Sequence, residues 1–300
     1  MMVHTENPPL MHQKVEPKTR ADQDRLLATL AEIAAVDNDF SFSVDPESGE
    51  IILGGQGELH LDLKIDNLIR IPGIGLAVGA PQVAYRETIA RASEVDYTHK
   101  KMSGGTHQFA RVKLNLEPLP LDSGVKFNSA FLDAPEIAAF ARGVEKGVRS
   151  VFVNGVLIGF PMTDMSVTWS DGSIEPNSST PVAFEIATRA AMKEGCEKAG
   201  IQILEPIMAV TTKTPCECTG TVLRNFDSRR GEIIGQEING LNTVIRAHVP
   251  LANMFGYISD LRRLTAGLGT YEMHYSHYAP LPHNTNSGPD DFPPAIGMRA

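Results

Sequence analysis

Tryptophan occurs once and cysteine three times in 300 residues. Cys196, Cys216 and Cys218 are too few and too unevenly placed for a disulfide framework. They fit a reducing compartment, so the chain is expected in the cytoplasm. No run of about 18 apolar residues occurs, which excludes a membrane-spanning helix by length. Met1 to Gln13 is polar and Pro-rich, without the apolar core of a signal peptide. Positive charge is in deficit: 27 Lys and Arg stand against 36 Asp and Glu, a net charge of −9. A general RNA binder carries a basic domain. Naked RNA is therefore expected to bind weakly, and any RNA contact to rely on shape and local loops. Also missing is Gly-x-x-x-x-Gly-Lys-Ser/Thr, whose backbone N–H groups and Lys grip phosphates. Gly54-Gly-Gln-Gly57 has neither the spacing nor the Lys, so no nucleotide-hydrolysing site is expected.

What is present is ordinary for a globular protein: 42% apolar and 21% charged residues. The length suggests two or three domains. Residues 1–9 read as a tail or linker, whether the chain is a piece of a longer protein or a shorter natural product. Leu10 to Glu16 reads as a strand. Thr19 then caps a helix, with Asp22 three residues on. Leu26, Leu27, Leu30, Ile33 and Ala34 repeat at helical spacing up to Asp37-Asn-Asp39. Phe40, Phe42 and Val44 alternate as a strand. Pro46-Glu-Ser-Gly49 turns the chain back into Ile51 to Leu53. Glu58 to Ile69 is a second helix, with Leu59, Leu63 and Leu68 or Ile69 expected inward.

Val78 to Pro81 opens a second region, with a strand run beginning at Val83, Tyr85 and Glu87. Arg111 to Glu117 alternates, with Val112, Leu114 and Leu116 on one face. Ile137 to Val153 is helical, Met162 to Trp169 alternates, and Trp169 is expected in the core. Thr180 to Ala199 is a long helix, with Pro181 in its tolerant first turn and Gly200 ending it. A third region opens at Ile203. It has a strand at Ile207 to Thr211 and a helix at Cys218 to Arg230. Two strands follow around Asn239-Gly240. A helix from Leu251 to Thr265 carries Met254, Phe255, Ile258 and Leu261 inward, and Thr270 to Tyr275 is the last strand. The first and third regions are β-α-β-β-α patterns of the ferredoxin type. His283 to Ala300 is poor in large apolar residues and is expected to be disordered.

Two loops carry the sharpest chemistry. Lys100-Lys-Met-Ser-Gly-Gly105 continues into Thr106, His107 and Gln108. Ser103, Gly104 and Gly105 let backbone approach backbone. Lys100, Lys101 and Arg111 add charge, and Thr106, His107 and Gln108 add hydrogen-bonding groups. That set suits RNA phosphates and sugars. A solvated hairpin loop is the plain alternative. The second loop runs from Ser170 to Ser179 and contains Gly172, Ser173, Glu175, Ser178 and Ser179. Later in the chain, Arg224, Arg229, Arg230, Arg262 and Arg263 stand near helix ends. The helix dipole favours cations there, and the same residues form basic spots fit for RNA phosphate. His60 is expected on a helix surface or interface. Cys216-Glu-Cys218 lacks the further ligands a zinc site needs, so no metal is expected.

Four segments in order, Glu16-Pro-Lys-Thr-Arg-Ala-Asp22, Gly54 to Asp62, Lys100 to Gly105, and Ser228-Arg-Arg-Gly231 with Met254-Phe-Gly-Tyr257, resemble the last three domains of elongation factor G. That family's GTPases drive tRNA and mRNA through the ribosome. The resemblance spans roughly residues 10–282. It implies an α+β fold in three domains: a ferredoxin-like domain at 10–76, a larger ribosomal-protein-S5-like domain at 77–202, and a second ferredoxin-like domain at 203–282. It implies that GTP and Mg belong to a GTPase domain that these residues do not contain. The implied partners are ribosomal RNA and proteins, with tRNA or mRNA at the decoding site, met by a monomer. The two loops would form the domain tip that enters the decoding region, and the arginine-bearing third domain would face the large subunit. The chain departs from the family at Ile174 and Glu175, where Tyr and His are usual, and at Thr106 and His107, where Arg-Gly is usual. A carboxylate beside RNA phosphate repels, whereas His donates a hydrogen bond. Two other functions stay open. One is a stand-alone enzyme using His107 and Glu175, which requires both to converge on a pocket. The other is a regulatory decoy of the ribosomal factor site.

Overall fold

A computed structural model describes residues 8–44, 50–72, 74–103, 106–131 and 137–282. The expected turn at 46–49, Gly104 and Gly105, and the tail at 283–300 lie outside them. The chain divides into two compact units, residues 1–84 with 205–279, and residues 85–204 with 280–300.

In the first unit, strand β1 (Met11–Pro17) leads into helix α1 (Arg20–Val36). The Thr19 side chain accepts the Asp22 backbone N–H at 3.1 Å, so the cap read from the sequence forms. β2 (Ser41–Val44), β3 (Ile51–Gly55), α2 (Glu58–Arg70) and β4 (Leu76–Val83) follow. The sheet order is β2-β3-β1-β4, the ferredoxin-type arrangement. β4 pairs antiparallel with β1, so Val78 to Pro81, expected to open the next region, closes this first sheet. The expected inward face of α2 is also corrected. Leu61, Ile65 and Leu68 are buried, while Leu59, Leu63 and Ile69 are exposed. Apolar residues lie on both sides of this helix, and packing against Phe40 and β3 selects one of them.

The second unit holds β5 (Arg86–Ile89), β6 (Ser93–Ser103), β7 (Thr106–Pro118), β8 (Val125–Ser129), α3 (Ala138–Asn154), β9 (Met165–Ser173) and α4 (Pro181–Ala199). The sheet order is β6-β7-β9-β8, with β8 parallel to β9. Val112, Leu114, Leu116 and Trp169 point into one core with Val144, Val148, Phe184 and Ala187. Thr180 caps α4 by accepting the Ala183 N–H at 3.1 Å, and Gly200 ends it at φ 76°.

β10 (Ile201–Pro215) starts in the second unit, where residues 201–204 pair with β5, and continues into the first, where residues 207–215 pair with β12. There the order β11-β12-β10-β13 joins β11 (Glu232–Asn239), β12 (Asn242–Pro250) and β13 (Thr270–Pro280). α5 (Thr219–Ser228) and α6 (Tyr257–Leu264) pack on this sheet through Phe226 and Tyr257, whose rings stack at 5.3 Å. The single helix expected at 251–265 is broken. Gly256 sits in the left-handed region at φ 67°, which separates a short turn at Leu251–Asn253 from α6. Tyr257 takes the buried place expected for Phe255.

Candidate functional site

The two loops singled out in the sequence meet at one end of the second unit. β6 and β7 form a hairpin paired continuously from Ser93↔Leu116 to Ser103↔Thr106, which carries Lys100 and Lys101 to its far end. β9 reaches the same end, with Ser173 opposite Arg111. Gly172 is required by packing: a Cβ there would stand 2.9 Å from the Arg111 carbonyl oxygen and 3.2 Å from the Trp169 ring. Beyond β9 the second loop folds back on β7. The Ser179 hydroxyl accepts the Glu175 N–H at 2.9 Å and donates to the Phe109 carbonyl at 2.8 Å. The Phe109 N–H returns a bond to the Ser178 carbonyl at 3.0 Å, and the Ser178 and Ser179 N–H groups donate to the Glu175 carbonyl. Ser178 and Ser179 are thus struts of the loop.

The side chains left at the surface are few. Lys101, Met102, His107, Ile174 and Glu175 are exposed. Lys100 is also exposed, with its ammonium 5.3 Å from the centre of the Phe109 ring. Gln108 is half-buried, with its Oε1 3.5 Å from His99 Nε2. Arg111 does not add free charge. It is held by Asp96 at 2.5 and 2.8 Å and by Asp171 at 3.1 Å. The Arg111 guanidinium in turn keeps the Asp96 carboxyl below the usual carboxylate range. Among the described residues no hydrogen bond or ion pair joins His107 to Glu175.

The arginines of the last sheet divide into two groups. Arg229 is an internal clamp whose side chain is 14% exposed. It donates to Asn225 Oδ1 at 3.2 Å, to the carbonyls of Asn253 and Phe255, and to Asp260 Oδ2 at 2.6 Å, and it lies 5.3 Å from the Tyr257 ring centre. Burial pushes the Tyr257 hydroxyl up to about 12, keeping it protonated as Thr212's partner. Arg230, at φ 60°, bonds the buried carboxylate of Glu205 at 2.5 and 3.3 Å. Arg224, Arg262 and Arg263 remain exposed. Arg230 is exposed as well, its side chain 41% open, but its guanidinium is engaged by Glu205.

The Gly-rich turn of the first sheet is also explained by packing. A Cβ at Gly54 would collide with the Ser41 hydroxyl, and one at Gly55 would stand 2.9 Å from Leu61. His60 accepts the Gln56 N–H on Nδ1 at 3.3 Å and faces Asp37 Oδ2 with Nε2 at 3.0 Å; Lys64 bonds the same oxygen. Partial burial alone would raise the Asp37 carboxyl. Hydrogen bonds from Lys64 and His60 and from the Asp39 N–H outweigh it and hold it at about 2. Among the described residues no group of three or more His, Cys, Asp or Glu is placed to hold a metal ion. Among the same residues no helix is long and apolar enough to cross a membrane.

Glu87, named in the sequence only as part of a strand run, is a fully buried carboxylate that receives five backbone N–H groups, from Val156, Leu157, Ile158, Gly159 and Phe160, at 2.7–3.2 Å. In the sequence it stands between Arg86 and Thr88, so nothing local marks it as a buried acid.

Comparison with known proteins gives consistent matches. The family described as "Elongation Factor G, domain III" matches residues 7–80, "Elongation factor G, domain IV" matches residues 81–200, and "Elongation factor G C-terminus" matches residues 202–287. A protein named elongation factor G from Cereibacter sphaeroides is 48% identical over 276 residues, 92% of this chain and 39% of its own length. One from Rhodopseudomonas palustris is 47% identical over 279 residues, 93% of this chain and 40% of its own. The chain therefore spans well under half the length of the curated relatives it matches. A crystal structure of a protein from Thermus thermophilus superposes with a TM-score of 0.68 at 33% identity, over 93% of this chain and 42% of that one.

Proposed function

The chain belongs to the elongation factor G family, and from that premise we propose that it is a ribosome-binding body that reads ribosomal RNA through two separate surfaces. The first is the tip of the second unit, where Lys100, Lys101, His107 and Glu175 stand exposed. The second is the group Arg224, Arg262 and Arg263 on α5 and α6. In the whole protein, a GTPase domain holding GTP and Mg would drive the tip toward tRNA and mRNA in the small-subunit decoding site. The residues present bind and orient; they do not hydrolyse nucleotide. A working division near residue 202, a monomeric state and a cytoplasmic location belong to this proposal.

One observation carries the reading. The second tip loop is fastened to the first by Ser179, which supports a preformed, protruding contact rather than a pocket. Such a tip gains affinity by presenting charge without first ordering itself. Glu175 makes this tip more selective, because a carboxylate near phosphate repels unless a cation answers it.

Co-sedimentation with 70S ribosomes at low and moderate salt tests this. Salt-sensitive binding is expected. Lys100→Ala with Lys101→Ala should weaken it and flatten the salt dependence by about one to two counterions. Glu175→His should tighten it. Salt-insensitive binding, or binding untouched by the double replacement, would overturn the tip assignment.

A further inference from the structure

The sequence holds two Asn-Gly pairs, Asn154-Gly155 and Asn239-Gly240. Both asparagines are exposed, but their backbones differ. Gly155 ends α3, and its N–H donates to the Val151 carbonyl at 2.8 Å. It is hemmed in: a Cβ on it would collide with the Phe160 carbonyl oxygen and stand 2.9 Å from Glu87. Asn154 Nδ2 also reaches Ser150 Oγ at 3.5 Å. Gly240 is the reverse case. It is the first residue of the two-residue loop between Asn239 and Asn242, which pair across β11 and β12. Its φ of 64° makes a type II′ turn, nothing lies within 4 Å of its Cβ position, and Leu241 beside it is 88% exposed. Gly240 is exposed and lies beyond the last ladder pair.

We propose that Asn239 is a deamidation site, with the Gly240 amide nitrogen as nucleophile and water as the co-reactant. The Gly240 nitrogen bonds to Asn239 Cγ while the Cγ–Nδ2 bond breaks. Nδ2 leaves as ammonia, carrying the proton lost by the Gly240 nitrogen. Water then opens the succinimide at either of its two carbonyls, giving aspartate or isoaspartate. The sum is amide plus water to carboxylic acid plus ammonia, with no change of oxidation state. Glycine matters because no Cβ shields the attacking nitrogen. The product adds one negative charge to a chain already at −9. The isoaspartate form also lengthens the backbone beside Leu241, whose carbonyl accepts the Cys216 N–H at 3.0 Å. The site thus converts a neutral hairpin tip into an acidic, reshaped one.

Native chain held at physiological temperature and mildly alkaline pH, then digested and mass-mapped, tests this with a built-in control. Asn239 should convert faster than Asn154 by roughly tenfold or more, since reaction at Asn154 must wait for local opening of the α3 end. A protein isoaspartyl methyltransferase should label the Asn239 peptide. In urea the two rates should converge. Gly240→Asn, a residue that tolerates positive φ, should slow conversion at Asn239 while the fold is retained. Equal rates at both sites in the folded chain, or an intact Asn239 where Asn154 converts, would overturn the proposal.

Discussion

The Glu87 carboxylate takes the Val156 backbone N–H at 2.7 Å, across 69 residues of chain. Four further N–H groups, from Leu157 to Phe160, close on the same two oxygens. A buried anion is tolerable only when hydrogen bonds replace its water, and here the loop after α3 supplies them all. Glu87→Gln replaces one of the two acceptor oxygens with an NH2 group that faces N–H donors. It should cost about 3 kcal/mol. Hydrogen exchange at residues 156–160 should accelerate together. Unchanged protection of those five amides would refute the clamp.

Some of this was legible in residue types, and some was not. Thr19 with Asp22, Thr180 with Gly200, and the alternation of Val112, Leu114 and Leu116 announce themselves because cap and strand chemistry is local. The face of α2 did not, because Leu59, Leu61, Leu63 and Ile65 offer two apolar sides and only tertiary packing chooses between them. Glu87 stayed hidden because its partners are backbone amides, which carry no residue identity. The clamp made by Arg229 is hidden for a related reason: a basic residue after a helix looks like a dipole partner until the second helix it holds is in view. At the tip, most of what reads as loop, Lys100 to Ser103, Thr106 to Gln108 and Gly172 with Ser173, is the paired ends of β6, β7 and β9. That Ser179 holds them together required the fold.

Asp37 gives a pH dependence with a definite sign. Its folded carboxyl lies at about 2, down from the usual 3.8. The folded state therefore binds fewer protons, and the stabilisation is present above 3.8 and lost as pH falls toward 2. At a site one-quarter exposed, solvent screening trims it to about 1 kcal/mol. Asp37→Asn should be less stable than wild type at neutral pH, and the two urea midpoints should converge between those pH values. A gap that persists at the acid end would show that the Asp37 charge is not its source.

Two glycines should respond to alanine with opposite signs. At Gly143 a Cβ would collide with the Pro181 carbonyl oxygen, which belongs to backbone. α3 must then move off α4, at about 2 kcal/mol or more. At Gly220, inside α5, nothing lies within 4 Å. Alanine there restricts the unfolded chain and favours the helix, and should gain about 0.5 kcal/mol. Thermal melts of the two variants should fall on either side of wild type. Equal shifts would mean that the α3–α4 contact is looser than its geometry implies.

Arg229 and the pair Arg262 and Arg263 separate folding from binding within one small domain. Arg229 spends its donors on α5, on the turn before α6 and on Asp260, so Arg229→Ala leaves two carbonyls and one oxygen of the Asp260 carboxylate unanswered. The expected loss is about 3 kcal/mol. Arg229→Lys should recover little of it, because a point ammonium does not reproduce a planar fork. Arg262→Ala with Arg263→Ala removes exposed charge and one surface ion pair to Asp260, worth under about 1 kcal/mol. Its melt should stay near wild type while ribosome co-sedimentation weakens and becomes less sensitive to salt. If the double variant binds as wild type, α6 is not a ribosome contact. If it melts as low as Arg229→Ala, its charges hold the fold instead, and the division between clamp and contact fails.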